Sequence, residues 1–327
     1  MKDLDSKNFV CVLSMLDFSD LEKDTGKVAK DNTEIIKDLL DQQFMDTKAV
    51  SRELREREDK YDDPIFNFKI TKLMDSLFLV NGNSLVVISK DDQLEQYADK
   101  VKALNTTNKR FSIFIKRIAN FLCCIAYYSL CNKGPFELRP KDIISPVLYR
   151  GGIDISERSA NSRTGRMVID NLSIQELNKY KNVYVEAKHL EETVLGPRLF
   201  MSEAVANILW KGLPDRERCT IQTVHDAYGK NDKVYEFIWT YYACEMSDCT
   251  IINESESPNQ IKKYVEKNVS LLEANLLKPT QVYLNMLKEK TQDSKILRHY
   301  EVFINLINEG KTLYEESYLG KNTEIYK

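Results

Sequence analysis

The chain has 327 residues, of which 43% are hydrophobic and 30% are charged, a composition typical of globular proteins and too apolar for a disordered chain. Its 47 basic and 50 acidic residues give a formal net charge of -3, so the protein has no overall positive field that would attract a polyanion. This balance argues against a nucleic-acid-binding protein and predicts that any phosphate-binding site is local.

The cysteines, the N-terminus and the most apolar segment together predict the cellular location of the protein. The 7 cysteines include no C-x-x-C pair and no spacing with histidine that is typical of zinc, so we expect reduced thiols. The charged N-terminus lacks the apolar core of a signal peptide. Residues 118–132 are uncharged, but this stretch is shorter than the roughly 20 residues that a membrane-spanning helix needs. We therefore predict a cytoplasmic protein without a membrane segment.

The first predicted element is a buried strand over residues 8–17, NFVCVLSMLD, which is apolar and β-branched and ends on Asp17. Ser19 and Glu22 follow with the S-x-x-E spacing of a capping box, which predicts that a helix begins there. Apolar residues recur at helical spacing as far as Phe44, so the helix is expected to continue toward that residue.

The next predicted elements are a β-hairpin and a long helix. Residues 65–80 alternate apolar and polar side chains and resume as LFLV shortly after Asp75, which predicts a tight hairpin with Asp75 at its tip. Residues 84–88, SLVVI, are expected to extend this sheet or to add an edge strand. Residues 109–130 carry a strongly apolar face at helical spacing and predict a buried helix.

The segment between residues 147 and 243 is predicted to contain strands and one further helix. Gly196 and Pro197 open an apolar segment that runs to Trp210, and proline at a first helical position predicts a helix there. The predicted strands cover residues 147–156, 184–189, 220–225 and 233–243.

The composition changes after residue 254 to long amphipathic helices. We therefore predict two units, a domain over residues 1–254 and a C-terminal helical extension over residues 255–327. The extension is expected to pack against the sheet or against a second copy of the chain. The order of elements, βαββ followed by α, β, β, α, β and β, predicts an α/β (α+β) fold with a sheet that is rich in hairpins.

Two carboxylates occupy special positions in this predicted sheet. Asp17 ends the first strand and Asp75 lies at the hairpin tip, so both point at one spot if the two strands are neighbours. Magnesium and manganese prefer oxygen ligands, and two carboxylates with the Phe18 carbonyl leave coordination positions for triphosphate oxygens. The ordinary alternative is that both residues are turn-forming aspartates.

Four segments follow the order found in class III adenylate and guanylate cyclases: LSMLDFSDL, the hairpin acid, RGGIDIS and LGPRLFMSEA. The chain resembles a distant member of that family over residues 8–245. The resemblance implies a class III cyclase-like fold, with a mainly antiparallel sheet and a ferredoxin-like βαββαβ core flanked by helices. It also implies two divalent metal ions, Mn2+ or Mg2+, held by Asp17, the Phe18 carbonyl and Asp75. A head-to-tail homodimer with shared active sites is expected from the same resemblance.

The residues that read purines in that family are replaced in this chain. Thr71 and Thr193 stand where adenylate cyclases carry a lysine and an aspartate that read adenine, and Phe200 and Ala204 replace an asparagine and an arginine. With the metal-binding acids retained, the chain is similar to the pyrimidine cyclases of bacterial Pycsar anti-phage systems. This implies conversion of UTP to 3′,5′-cyclic UMP and pyrophosphate in the bacterial cytoplasm. The product would activate a separate effector protein.

Three further residues are predicted to contact the nucleotide. Met15 lies two residues before Asp17 on the same face of the strand and is expected to form a wall of the nucleotide site, with core packing as the equal alternative. Arg150 and Arg198 are candidates for binding the triphosphate, because guanidinium groups suit phosphate oxygens. Ordinary salt bridges are the alternative for both arginines.

Other functions stay open on the sequence alone. CTP differs from UTP at one edge by an amino group in place of an oxygen, so a cytidylate cyclase is one alternative and a purine cyclase with an altered pocket is another. A catalytically inactive cyclase-like scaffold that binds a partner through its helices is an alternative of a different class. A nucleic-acid-binding protein is opposed by the acidic charge balance.

Overall fold

The computed structural model describes residues 7–16, 76–81, 84–89, 107–131, 147–157, 170–171, 181–192, 195–224, 233–246 and 257–320. Helices and strands are numbered in chain order within these ranges. The predicted helix after Asp17 and the first strand of the predicted hairpin lie outside the described residues.

The described strands form one sheet in the order β5-β2-β3-β1-β4-β6-β8-β7. Their bounds are β1 Lys7–Met15, β2 Ser76–Asn81, β3 Ser84–Ser89, β4 Tyr149–Glu157, β5 Asp170–Asn171, β6 Leu199–Ser202, β7 Ile221–Val224 and β8 Val234–Phe237.

The described helices begin with α1, Thr107–Cys131, which confirms the helix predicted over residues 109–130. The other α-helices are α2 Lys181–Glu192, α3 Glu203–Gly212, α4 Tyr241–Met246, α5 Pro258–Leu272, α6 Lys278–Lys290 and α7 Ser294–Leu319. A short 3-10 helix, Asp215–Thr220, follows α3, and a π-helical stretch, Glu273–Leu277, joins α5 to α6. In the ranges that the structure describes, no helix combines the length and the apolar character needed to cross a membrane.

The centre of the sheet has the predicted ferredoxin-like strand order. β2, β3, β1 and β4 lie side by side, and successive strands within this group of four are antiparallel, whereas the outer neighbour of β2, the short strand β5, is parallel to it. Helix α1 connects β3 to β4, as expected for the second half of a βαββαβ unit. β6 is added parallel to β4, followed by antiparallel β8 and β7. The predicted fold class, an α/β fold with a mainly antiparallel sheet and flanking helices, is confirmed.

The two faces of the sheet are covered by different helices. On one face, the ring centroids of Phe9 in β1 and Phe111 in α1 are 3.7 Å apart. On the other face, α2 lies so close to β4 that a Cβ atom on Gly152 would be 2.0 Å from the carbonyl oxygen of Ala187. Since only glycine lacks this atom, the glycine of the RGGID strand permits the close packing of α2.

The strand predicted over residues 184–189 is wrong, because these residues belong to helix α2. The segment YVEAKH alternates over too few residues to exclude a helix. Among the described side chains of α2, the buried ones are Ala187, Leu190 and Glu191, which have the i, i+3, i+4 spacing of one helical face. Because one of these inward-facing residues, Glu191, is charged, the buried face does not appear in the sequence as an apolar repeat.

The helix predicted to begin at Pro197 begins at Glu203 instead. Leu199, Phe200 and Met201 form strand β6 and are all buried, and such an apolar run has no periodicity that distinguishes a buried strand from a buried helix. Ser202 then caps the helix, because its hydroxyl accepts a hydrogen bond from the N–H of Val205 at 3.4 Å.

The C-terminal helices and the sheet share one hydrophobic core. Trp239 stacks on Phe303 of α7 with ring centroids 5.8 Å apart, and Tyr241 contacts the edge of Tyr314 at 5.4 Å. The hydroxyl of Thr240 donates to the carbonyl of Leu306 at 2.5 Å. The predicted division at residues 254 and 255 lies outside the described residues and stays a prediction, but α7 packs as part of the sheet's own core.

Candidate active site

The predicted metal ligands follow the end of the central strand. β1 ends at Met15, and the N–H of Leu16 still donates to the carbonyl of Leu148 beside β4 at 2.9 Å. Asp17, Phe18 and Asp75 lie outside the described residues. Asp17 is the next residue along the chain after Leu16, and its place at the metal site stays a prediction.

The register of the hairpin separates the residues that flank the two aspartates. Asn81 of β2 pairs with Ser84 of β3, and Ser14 of β1 also lies opposite Ser84. Ser76, which follows Asp75, lies opposite Ser89 at the other end of β3. Five strand steps separate Ser76 from Asn81, about 17 Å at the usual rise. The described pairing therefore does not by itself bring the two predicted ligands together.

Residues 84–88 are confirmed as part of the sheet, since β3 pairs with both β1 and β2. The position of β3 between two partners excludes the edge-strand alternative.

Arg150 belongs to a buried ionic cluster on the face covered by α2. It lies directly opposite Ser14, and its Nε donates to Oε1 of Glu191. Lys188 binds the other oxygen of the same carboxylate and donates to the hydroxyl of Ser14 at 3.0 Å. The Glu191 side chain is fully buried, whereas those of Arg150 and Lys188 are 25% and 24% exposed. The cluster joins β1, β4 and α2 next to the position of Asp17.

Arg198 occupies the neighbouring position across the sheet. It precedes Leu199, which pairs with Gly151, so Arg198 lies beside Arg150. Its guanidinium binds both carboxylate oxygens of Glu236, with Nε to Oε1 at 2.8 Å, and lies 5.0 Å from the ring of Phe200.

Burial and the ion pair act in opposite directions on the carboxyl that Arg198 binds. The hydrogen bond to Glu236 raises the pKa of Arg198. Burial raises the pKa of the Glu236 carboxyl, an effect that Arg198 opposes. The negative charge of Glu309 raises the pKa of both groups. Arg198 is thus influenced by two carboxylates, those of Glu236 and Glu309.

Met15 packs partly buried against the main hydrophobic core and lies opposite Tyr149 of β4. The hydroxyl of Tyr149 is buried and has no hydrogen-bond partner in the described ranges. Met15 therefore packs against the core, as the alternative interpretation expected. Its contact with a nucleotide stays a prediction.

The segment LGPR, residues 195–198, is held by hydrogen bonds to residues that follow it in the chain. Gly196 has φ 79°, and its N–H donates to Nδ1 of His299 at 3.0 Å. The indole N–H of Trp239 donates to the carbonyl of Pro197 at 2.7 Å. Burial lowers the pKa of His299 to about 4, so the imidazole is neutral at pH 7 and can accept this bond. Arg198 therefore emerges from a rigid turn.

The sequence did not identify Lys188 and Glu191 as site residues. They occur in a charged stretch that is ordinary by composition, and Glu191 meets Arg150 across 41 residues of chain. The only available signal was the spacing of Lys188 and Glu191, which places an ion pair on one helical face.

The donor chemistry of the predicted metal site suits magnesium or manganese, because carboxylate and carbonyl oxygens are their preferred ligands. In the part of the chain that the structure describes, no group of three or more His, Cys, Asp or Glu residues could hold a metal ion. The described strand register does not join the flanks of Asp17 and Asp75. The fit of the metal pair therefore depends on residues outside the described ranges.

No protein-family model matches the chain, and no curated protein is detectably similar to it. Several solved structures align with it at low similarity. The catalytic core of a rhodopsin-guanylyl cyclase with converted specificity, in complex with ATPalphaS, aligns at TM-score 0.36 and 8% identity, covering 71% of this chain and 95% of that chain.

Two others give similar values. The non-canonical dimeric guanylyl cyclase domain of the RhoGC fusion protein from the aquatic fungus Blastocladiella emersonii aligns at TM-score 0.37 and 8% identity, covering 71% of this chain and 96% of that one. The adenylyl cyclase CyaB from P. aeruginosa aligns at TM-score 0.36 and 10% identity, covering 77% and 97%. Similarities of this size do not establish a family or an activity.

Proposed function

We propose that the chain is a nucleotide cyclase that converts UTP to 3′,5′-cyclic UMP and pyrophosphate. One observation supports the proposal: the described parts of three of the four cyclase-like segments lie on the neighbouring strands β1, β4 and β6. β4 is antiparallel to β1 and parallel to β6, so the end of β1 and the starts of the other two meet at one edge. Arg150 and Arg198 lie at that edge, and we propose that Asp17 lies there too.

The reaction needs no covalent enzyme intermediate. The ribose 3′-oxygen forms a bond to the α-phosphorus, the bond from that phosphorus to the pyrophosphate oxygen breaks, and the hydroxyl proton is released. Two divalent ions on Asp17, the Phe18 carbonyl and Asp75 would supply activation of the hydroxyl and neutralisation of phosphate charge. The chain's own contribution is to orient the triphosphate for in-line displacement, for which Arg150 and Arg198 are the candidates.

The preference for a pyrimidine is supported by the replaced residues. Phe200 is buried in a small apolar cluster with Leu190 and Val234, so it cannot orient a ribose as an asparagine would. Ala204 is exposed in the first turn of α3 and has no charged group for the transition state. Thr71 and Thr193 lie outside the described residues. UTP is proposed over CTP only by the resemblance to uridylate cyclases.

The wider setting is part of the same proposal. We propose a homodimer with shared sites in the bacterial cytoplasm, whose cyclic nucleotide activates a separate effector during anti-phage defence. Size measurement by light scattering tests the dimer, and loss of phage protection on deleting the gene for the chain tests the defence role.

The decisive experiment is incubation of the purified chain with all four ribonucleoside triphosphates and Mn2+, followed by mass spectrometry of the products. Cyclic UMP is the expected product. Cyclic CMP as the product would identify the chain as a cytidylate cyclase instead of a uridylate cyclase. Cyclic AMP or cyclic GMP would overturn the pyrimidine assignment.

An inactive cyclase-like scaffold is the second candidate, and the register of β2 favours it. Ser76 lies at the far end of β3 from the end of β1, which separates the flanks of the two predicted metal ligands. Absence of any cyclic product, with a biological effect that survives Asp17→Ala, would support this candidate.

A further inference from the structure

We infer that His299 of α7 is a positioning residue for Arg198: its imidazole accepts the N–H of Gly196 and so fixes the turn from which Arg198 enters the sheet. This inference rests on the proposed function, in which Arg198 is a candidate for binding the triphosphate. It makes helix α7 part of the candidate active site, where the sequence predicted only that the C-terminal helices pack against the sheet or against a second copy.

The bond from Gly196 to His299 satisfies a buried backbone group. Gly196 is buried, and its N–H donates to Nδ1 of His299 at 3.0 Å. A buried N–H needs an acceptor, and here the acceptor is a side chain 103 residues later in the chain. The imidazole itself is only 6% exposed, so water cannot readily replace it. The conformation of this turn therefore depends on α7.

The surroundings of His299 keep its imidazole neutral at pH 7. Burial is the main cause that lowers the pKa of His299 to about 4. Among the described residues, the positive charges of Lys295 in α7 and Arg150 in β4 act in the same direction, and Asp293 opposes them. With the proton on Nε2, the other ring nitrogen, Nδ1, is free to accept the backbone N–H.

Two further contacts hold the same turn. Gly196 has φ 79°, and a Cβ atom on it would lie 2.4 Å from Cγ1 of Val302, so glycine permits the close approach of α7. The carbonyl of Pro197 accepts the indole N–H of Trp239 at 2.7 Å, and Trp239 stacks on Phe303 of α7. The turn is thus held by α7 directly and through Trp239.

The position of the turn is transmitted to Arg198. Pro197 alone separates Gly196 from Arg198, and its ring fixes φ, so little backbone rotation is available to absorb a shift. The carbonyl of Arg198 accepts the N–H of Gly151 at 2.9 Å, and its guanidinium binds both carboxylate oxygens of Glu236. These bonds leave other N–H donors of the guanidinium for a phosphate. Loss of the bond to α7 would therefore displace the group proposed to bind the triphosphate.

The first test compares two substitutions at position 299 in the full chain. His299→Leu removes the acceptor, whereas His299→Asn places an amide oxygen close to the position of Nδ1. Hydrogen–deuterium exchange of peptides that cover residues 195–202 should be faster in His299→Leu and close to wild type in His299→Asn. Arg298→Leu, on the exposed side of the same helix, is the control and should leave the exchange unchanged. Circular dichroism establishes that each variant is folded at the assay temperature.

The same bond can be tested without a destabilising variant. The 15N spectrum of the wild-type histidines, with His299 assigned by its loss in His299→Asn, should show an unprotonated Nδ1 and a proton on Nε2 at pH 7. The opposite tautomer, or a charged imidazole, would overturn the inference.

The second test connects the turn to Arg198. KM for UTP should rise about 2- to 10-fold in His299→Leu, as loss of one hydrogen bond predicts, and by more than kcat falls. His299→Asn should restore most of this loss. The same substitution is then made together with Arg198→Gln and Glu236→Gln, which replace the ion pair by two neutral amides. If His299 acts through Arg198, His299→Leu has no further effect on KM in that background.

The outcomes separate this inference from the proposed function. Unchanged exchange in His299→Leu overturns the inference. An unchanged KM for UTP, or an equal rise of KM in both backgrounds, also overturns it, while cyclic nucleotide formation by wild type leaves the proposed function intact. Faster exchange that His299→Asn reverses, in a protein that forms no cyclic nucleotide, would uphold the positioned turn and remove the proposed function.

Discussion

The fully buried carboxylate of Glu191 accepts a hydrogen bond from Nε of Arg150, which lies 41 residues earlier on the adjacent sheet. This pair is the point at which helix α2 is tied to the end of the central strands. Removing one partner of such a pair leaves the other charge buried and uncompensated, which costs far more than the loss of an exposed ion pair.

We expect Glu191→Ala to lower the free energy of unfolding by about 3 kcal/mol, because Arg150 and Lys188 would then be left as like charges close together. Glu192→Ala removes an adjacent carboxylate that is 58% exposed and should cost at most about 0.5 kcal/mol. Urea unfolding followed by circular dichroism measures both. Similar losses in the two variants would contradict the buried role of Glu191.

Gly152→Ala is expected to displace α2 from the sheet. The new Cβ atom would meet the carbonyl oxygen of Ala187 at 2.0 Å and the backbone N of Glu191 at 2.9 Å, so backbone must move. Overpacking of this kind costs about 1–3 kcal/mol. Thr223→Ala on an exposed position of β7 is the control, and unchanged stability of Gly152→Ala would disprove the close packing.

Acid should destabilise the protein through His299. Burial lowers the pKa of His299 from 6.5 to about 4, so the unfolded state binds the proton more readily than the folded state. The stability that the neutral, buried His299 gives the folded state is fully present above pH 6.5 and is lost as the pH falls toward 4. Thermal midpoints of wild type should therefore drop between pH 7 and pH 5, and less so in His299→Gln.

Exposed His189 supplies the matched control for that experiment. His189→Gln makes the same substitution at an exposed position of α2, so it measures the effect of the exchange outside the core. A pH dependence that is identical in His299→Gln and wild type would show that other groups, such as the carboxylates, account for the whole effect.

The C-terminal helices are expected to unfold together with the sheet. Phe303 of α7 is fully buried and stacks on Trp239, so Phe303→Ala should cost about 3–5 kcal/mol. Calorimetry should show one transition that shifts as a whole in this variant. Two transitions, with only one of them shifted, would support independent units divided near residue 254.

Local periodicity was enough to predict part of this fold. β1 and α1 were found because each is long and has one strongly apolar pattern. β6 and α2 were misassigned because Leu199–Met201 lacks periodicity and Glu191 is a charged residue that faces inward. The second kind of error is inherent in reading one sequence, since the partner that neutralises Glu191 is distant in the chain.

The same limit applies to the candidate site. The sequence motifs indicated Arg150 and Arg198 as two separate candidates for binding the triphosphate, and only the pairing of Gly151 with Leu199 shows that they lie side by side. They did not reveal that Arg198 binds Glu236, whereas Arg150 shares the carboxylate of Glu191 with Lys188. Charge balance is a property of the packed structure and cannot be obtained from spacing along the chain.

The last prediction separates the two proposed metal ligands. If Asp17 and Asp75 share the metal ions, Asp17→Ala and Asp75→Ala should each abolish cyclic nucleotide formation, and each should remove the dependence of UTP binding on Mn2+. The described pairing of Ser76 with Ser89 favours a different result, in which only Asp17→Ala is inactive. Asp215→Ala, which removes an exposed aspartate of the short helix Asp215–Thr220, is the control for a general effect of charge. Retained activity in Asp75→Ala would place the second ligand elsewhere and would overturn the proposed metal pair.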